Sequence, residues 1–152
     1  MPKDYPWGKG TVVTERLNST ADSDVTITIP VGKRRRYTHF QAQITCSADV
    51  GNRNLAVLFA PGGVGSMWSM KSGNITASQV GMITLGRDIP YSTTPRTGVI
   101  TSQNTTANVA IYDSLPDVIL GNGDTIRVWD VAAIAAAADN MYLFYSYVEW
   151  DA

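Results

Sequence analysis

A chain of 152 residues has the length of a single domain and is long enough to bury its own core. It carries 12 lysines and arginines against 13 aspartates and glutamates, and the resulting net charge of −1 gives no overall field that would draw it to nucleic acid or a membrane. With one cysteine and one histidine, the sequence excludes an intrachain disulfide and a zinc site made from these two residue types alone.

The sequence predicts no targeting or membrane-spanning segment. Its first residues lack the apolar stretch of a secretory signal. The longest run of small apolar residues, 131–138, is too short to cross a bilayer. We therefore expect a soluble protein that is made in a cytoplasm.

Residues 1–23 show no sustained periodicity and include two prolines that would interrupt a helix. This composition predicts an extended N-terminal arm, which is either a passive terminus or a segment that becomes ordered against a neighbour. Tyr5 and Trp7 favour the ordered arm, because disordered tails seldom contain such apolar anchors. A single domain over residues 24–152 is expected to follow the arm.

The rest of the chain is predicted to be all-β. Short segments alternate apolar and polar residues with a period of two, or form apolar runs of strand length, and turn residues separate them. These predicted strands are residues 25–29, 37–46, 55–60, 67–70, 80–85, 109–111, 118–120, 125–131 and 141–150. The sequence Gly-Asn-Gly-Asp at 121–124 predicts a tight turn that joins two of them as a hairpin. Many short strands without helical periodicity indicate a β-sandwich, and a jelly roll is the preferred topology.

A search for catalytic residues yields no complete set. His39 and Cys46 lie seven positions apart in one predicted strand, and the odd separation places them on opposite faces, too far apart for a nucleophile–base pair. The glycines of residues 62–65 lack the spacing of a phosphate-binding loop, and no serine-hydrolase elbow occurs. Asp117 and Asp124 lie beside turn residues, where aspartate is favoured for local hydrogen bonding. We therefore expect no enzyme activity, no cofactor and no metal site.

One block of positive charge, Lys33, Arg34, Arg35 and Arg36, is predicted to lie between two strands. It can act as an electrostatic contact with an acidic protein surface, or it can be a solvated strand entry. Nucleic-acid binding is not expected, because such sites add further basic residues and aromatic stacking groups.

Three segments resemble small virion proteins of tailed bacteriophages: 50–57 (VGNRNLAV), 115–126 (LPDVILGNGDTI) and 138–141 (ADNM). The resemblance extends over residues 25–150. These phage proteins are β-sandwich or jelly-roll modules, and they include capsid decoration (cement) proteins, which often form trimers. The resemblance implies a structural virion protein assembled in the host cytoplasm, which binds the major capsid protein or another virion protein. It provides no catalytic residues.

This hypothesis places a homotrimer on the outer surface of the capsid, where it stabilises the head. Aromatic residues, methionine and arginine are enriched in interfaces. The candidate contact residues are therefore Tyr5, Trp7, Lys33, Arg34, Arg35, Arg36, Met67, Trp68 and Tyr91. Two alternatives stay open: a receptor- or glycan-binding module of a tail or fibre, with Trp68 or Trp129 stacking on sugar rings, and a head–tail or tail-completion component.

Overall fold

The computed structural model describes residues 10–19, 24–61, 68–87, 96–100, 108–131 and 139–152. Over these residues the protein consists of strands and contains no helix. The strands are β1 (Thr11–Ser19), β2 (Asp24–Thr28), β3 (Lys33–Thr45), β4 (Leu55–Ala60), β5 (Trp68–Lys71), β6 (Val80–Gly86), β7 (Arg96–Ile100), β8 (Asn108–Ser114), β9 (Thr125–Asp130) and β10 (Asn140–Asp151).

The strands form two sheets that pack face to face. The larger sheet has six strands in the order β1-β10-β3-β6-β8-β7, and the smaller sheet has four in the order β2-β9-β4-β5. All neighbours pair antiparallel except β6 and β8. The prediction of an all-β sandwich is confirmed.

The pairing of eight strands is nested: β1 pairs with β10, β2 with β9, β3 with β6, and β4 with β5. Two further strands, β7 and β8, extend the larger sheet beyond β6. Nested pairs split between two sheets are what two successive Greek keys produce. The jelly roll stays our prediction, and this order supports it.

A single apolar core fills the space between the sheets. Its centre is aromatic: Phe40 of the larger sheet and Phe59 of the smaller sheet are fully buried, with ring centroids 5.8 Å apart. Tyr37 lies beside them, 6.2 Å from Phe59. These edge-on contacts lie within the range that aromatic pairs prefer, so they fix the position of one sheet on the other.

The structure adds to the predicted chain path at two places. Residues 11–19, placed in the arm, form strand β1, which pairs along its whole length with β10. The predicted strand at 118–120 makes only one isolated bridge, between Leu120 and Arg35. The turn at 121–124 does form, but it carries the chain from that bridge to β9 in the other sheet, so it closes no hairpin.

A β-bulge at Thr38 changes which residues of β3 face the core. His39 pairs with Ser146 and Tyr37 pairs with Tyr147, so Thr38 is the extra residue. Alternation alone places Tyr37 on the outer face with His39. The bulge instead turns Tyr37 inward, where it is buried with the rest of the core.

Gly81 offers a test of how closely this core is packed. An added Cβ would lie 2.1 Å from Cδ1 and 2.8 Å from Cγ1 of Ile75, which is fully buried. We expect Gly81→Ala to lower the free energy of unfolding by about 1–3 kcal/mol, the usual cost of overpacking. Gly73→Ala is the matched control, because a Cβ there would meet nothing within 4 Å. Urea unfolding measures the stability of both variants. Equal stability of Gly81→Ala and Gly73→Ala would contradict the close packing around Gly81.

Candidate functional site

Of the predicted contact residues, the structure describes Trp68 and the four residues of the basic block. Tyr5, Trp7, Met67 and Tyr91 lie outside the described residues. Trp68 begins β5, is only partly exposed and packs edge-on against Phe59, with centroids 5.6 Å apart. Trp68 therefore contributes mainly to the core.

The sequence predicted that the basic block lies between two strands. In the structure the block is instead the first part of β3. Carboxylates of the same chain neutralise most of it. Lys33 Nζ lies 2.7 Å from Asp151, Arg35 Nε 2.7 Å from Glu149, and Arg36 Nη2 2.8 Å from Asp117. Within the described part of the chain, Arg34 is exposed and has no such partner.

Arg35 connects this block to a buried cluster of tyrosines. Its guanidinium lies 4.2 Å from the ring centroid of Tyr147, whose hydroxyl lies 3.1 Å from Glu15 of β1. Burial raises the pKa of Tyr147 and of Tyr37 to about 12, so both stay protonated at neutral pH. This end of the sandwich is thus held by internal polar contacts, and Arg35 is unsuited to binding a partner.

The most completely satisfied polar contact is a buried ion pair, which the sequence analysis missed. Arg53 and Asp139 have side-chain exposures of 0% and 2%. Arg53 donates from Nε to Asp139 Oδ2 at 2.9 Å and from Nη2 to Oδ1 at 3.2 Å. Its other hydrogen bonds go to the carbonyl oxygens of Asp49 and Gly51 and to the hydroxyl of Ser47.

All five N–H groups of this guanidinium therefore have an acceptor. The backbone N–H of Ser47 also donates to Asp139, at 2.7 Å. The pair holds the loop between β3 and β4 against the residue that precedes β10. Its role is structural, because no side of it faces solvent.

The stability that this pair supplies is expected to disappear in acid. Burial by itself would raise the pKa of Asp139, but hydrogen bonds from Arg53 and Ser47 outweigh burial and lower the pKa below its ordinary 3.8. A carboxyl whose pKa is lowered by folding stabilises the protein above its unfolded pKa and stops doing so as the pH falls through the folded pKa. The stability difference between wild type and Asp139→Asn should therefore shrink below about pH 4. Urea unfolding across a pH series would contradict this if the difference stayed constant.

An open groove lies on the outward face of the larger sheet, with a volume of about 490 Å³. The pairing register brings two rows of side chains to it: Arg16, Phe144 and Gln41 in one row, and Asn18, Tyr142 and Gln43 in the next. The Arg16 guanidinium lies 5.3 Å from the ring centroid of Phe144. Tyr142 is 41% exposed. The groove thus combines two aromatic rings, three amides and one cation.

The sequence contained only part of this arrangement. Alternation placed Gln41 and Gln43 on one face of their strand, and Tyr142 and Phe144 on one face of theirs. Nothing in the sequence showed that these strands are neighbours, and Arg16 belonged to the predicted arm. The pairing of β1 with β10 is what completes the groove.

The smaller sheet also carries an arginine beside an aromatic ring, but the charge of this arginine is paired with a carboxylate. The Arg127 guanidinium lies 4.8 Å from the ring centroid of Trp129. Arg127 also forms two-pronged hydrogen bonds with Asp24, at 3.0 Å from Nε and 2.5 Å from Nη2. Arg127 is therefore neutralised, whereas Arg16 has no carboxylate partner among the described residues.

The remaining candidates for chemistry are isolated. Cys46 is a buried thiol whose pKa is raised to about 11, mainly by burial, so its reactive thiolate form is suppressed. The His39 ring packs edge-on against Phe144, at 5.5 Å. In the described residues, no three His, Cys, Asp or Glu side chains are grouped so that they could hold a metal ion. No helix in this part of the chain is long and apolar enough to cross a membrane.

No protein-family model matches the chain, and none of the curated proteins matches it. Among solved structures, it is similar to a pilus protein of Bacillus endospore appendages, with 10% identity and a TM-score of 0.28, over 95% of this chain and 91% of the other. It is also similar to VP2 of infectious bursal disease virus, with 12% identity and a TM-score of 0.27, and to the Gx strain of that virus, with 11% identity and 0.26. Each viral match covers 93% of this chain but only 38% or 40% of the viral chain. Similarities of this size carry no argument about function.

Proposed function

We propose that the chain is a non-enzymatic structural virion protein, a decoration protein that binds the outer surface of a tailed-phage capsid as a homotrimer and stabilises the head. The observation that carries this proposal is the edge strand β1. It is nine residues long and, among the described strands, pairs only with β10. An open edge of this length is a template for pairing with another chain.

The side chains of β1 support an assembly role. Val12 is 71% exposed and Leu17 is 40% exposed. Soluble sheets often protect a long edge with lysine or proline, and β1 contains neither, although Glu15 and Arg16 give it two charges. A contact between this edge and a different surface of a neighbouring copy would be heterologous, and heterologous contacts form a ring such as a trimer when the rotation between copies closes.

The proposal is tested by placing a charge on the edge. Val12→Lys should prevent assembly, because lysine on an edge strand opposes pairing with another strand. Val50→Lys is the matched control, since Val50 is 95% exposed on the loop between β3 and β4 and is not part of β1. The measurements are molar mass by light scattering and binding to purified capsids that lack the protein. A trimer that forms equally well with Val12→Lys would overturn the proposed interface.

The tail-module and head–tail alternatives are separated from decoration by copy number. A decoration protein should occur in purified virions in numbers comparable to the major capsid protein, because it repeats with the capsid lattice. A tail, fibre or completion component should occur in only a few copies. Quantitative mass spectrometry of purified virions measures this ratio directly, and a low ratio would contradict the decoration role.

A further inference from the structure

The groove on the outward face of the larger sheet lies beside the open edge of β1 that is proposed as the contact between copies, and Arg16, Leu17 and Asn18 of β1 line it. From its chemistry we propose that it binds an acidic oligosaccharide built from hexuronate units. A sugar ring would stack on Tyr142, and a uronate carboxylate would pair with Arg16. This binding site is independent of the virion role and would remain if that role failed.

The exposed ring of Tyr142 provides a stacking platform. Aromatic faces carry partial negative charge and attract the C–H bonds on the apolar face of a pyranose ring. Phe144 is two residues further along β10, so its side chain leaves the same face about 7 Å away. Because the Arg16 guanidinium lies over the Phe144 ring, a sugar stacked on Tyr142 would have its neighbouring unit beside this cation, which suits an oligosaccharide better than a single small molecule.

The amides on either side of the rings can satisfy hydroxyl groups. Within the described residues, Asn18 and Gln43 have no side-chain hydrogen bond. Gln41 donates from Nε2 only to the sulfur of Met82, at 2.9 Å, and sulfur is a weak acceptor. Each amide both donates and accepts hydrogen bonds, as a sugar hydroxyl does. The three amides can therefore pair with sugar hydroxyls so that neither the amides nor the hydroxyls lack a hydrogen-bond partner.

Charge distinguishes an acidic sugar from a neutral one. Every lining residue of the groove is uncharged except Arg16. No carboxylate of the described residues pairs with Arg16, and its planar guanidinium, stacked on Phe144, leaves its N–H groups free for a carboxylate. A single cation of this kind matches one uronate. A nucleic-acid strand would need several cations along its phosphates, and the groove has one.

Titration calorimetry of the whole protein with tetragalacturonate tests the proposal, and the methyl ester of the same tetramer is the neutral comparison. We expect Arg16→Gln to weaken binding of the acid by about tenfold or more, the range for a lost hydrogen bond to a charged group. It should leave the weaker binding of the ester unchanged. Tyr142→Ala should weaken both ligands by about tenfold, as loss of a stacking ring does. Arg127→Gln is the control, because it removes an arginine over an aromatic ring from the other sheet.

Each outcome decides the question. Wild-type binding that falls with Arg16→Gln and Tyr142→Ala but not with Arg127→Gln supports the groove. Equal affinity for acid and ester, or no effect of Arg16→Gln, overturns the assignment to an acidic sugar. Loss of binding with Arg127→Gln would place the site on the smaller sheet, and absence of binding would overturn the proposal. Because both groove side chains are on the surface, circular dichroism should show that the variants fold normally.

Discussion

Arg53→Ala is expected to lower the free energy of unfolding by about 3–5 kcal/mol, the usual cost of removing one partner of a buried ion pair. The substitution leaves the Asp139 carboxylate buried without its cation, and it also leaves the carbonyl oxygens of Asp49 and Gly51 without their donors. Urea unfolding of the variant and the wild type measures the loss. A cost below about 1 kcal/mol would show that water replaces the guanidinium at little expense.

Two further variants separate the buried charge from the salt bridge as such. Arg127→Ala removes an arginine from an ion pair whose partners are each nearly half exposed, and it should cost at most about 1 kcal/mol. The double variant Arg53→Met with Asp139→Leu removes both charges, so it should recover part of the loss seen with Arg53→Ala. If the double variant were less stable than the single one, the stability would come from the hydrogen bonds to the loop and not from the paired charges.

The sequence could not reveal this pair, because the two residues are 86 positions apart and each lies in a segment without periodicity. Arg53 lies in the segment 50–57 and Asp139 in the segment 138–141. Both segments carried the resemblance to phage virion proteins. The structure brings these two segments together. An ion pair of this kind depends on the tertiary fold, which local sequence patterns do not predict.

The strands that were predicted correctly have one buried face and one exposed face. In β2, β9 and β10 this difference produces a clear period of two. Strand β1 has no such pattern: Val12 and Leu17 lie at positions of opposite parity, and both are exposed. An edge strand that buries little of either face gives no alternation, so the sequence predicts an arm there.

The outward groove could not be predicted from the sequence for a different reason. Alternation by itself predicts the two faces of β3 and β10 as the structure has them over residues 39–45 and 141–147. The side chains of a sheet face become a site only when the lateral order of the strands is known, and β1, β10 and β3 are far apart in the chain. The bulge at Thr38 adds a local limit, since one inserted residue reverses the faces of all positions before it.

Phe59→Ala is expected to cost about 3–5 kcal/mol as well, but through a cavity and not through a charge. Phe59 is fully buried and lies within 6.2 Å of Tyr37, Phe40 and Trp68, measured between ring centroids. Its ring brings the smaller sheet into contact with Tyr37 and Phe40 of the larger one. Phe59→Leu keeps most of the volume and should cost less than about 1.5 kcal/mol. The emission of Trp68 should also change in the alanine variant, because its edge-on neighbour is gone.

The dependence on pH distinguishes the two losses, although their sizes overlap at neutral pH. The cost of Arg53→Ala comes from an ionised Asp139, so it should shrink once the pH falls through the lowered pKa of that carboxyl. The cost of Phe59→Ala comes from lost packing around an apolar ring and involves no titrating group, so it should persist at the same pH. Unfolding of both variants at neutral and acid pH therefore tests the two origins of stability separately. Parallel behaviour of the two variants would contradict the assignment of the Arg53 loss to charge.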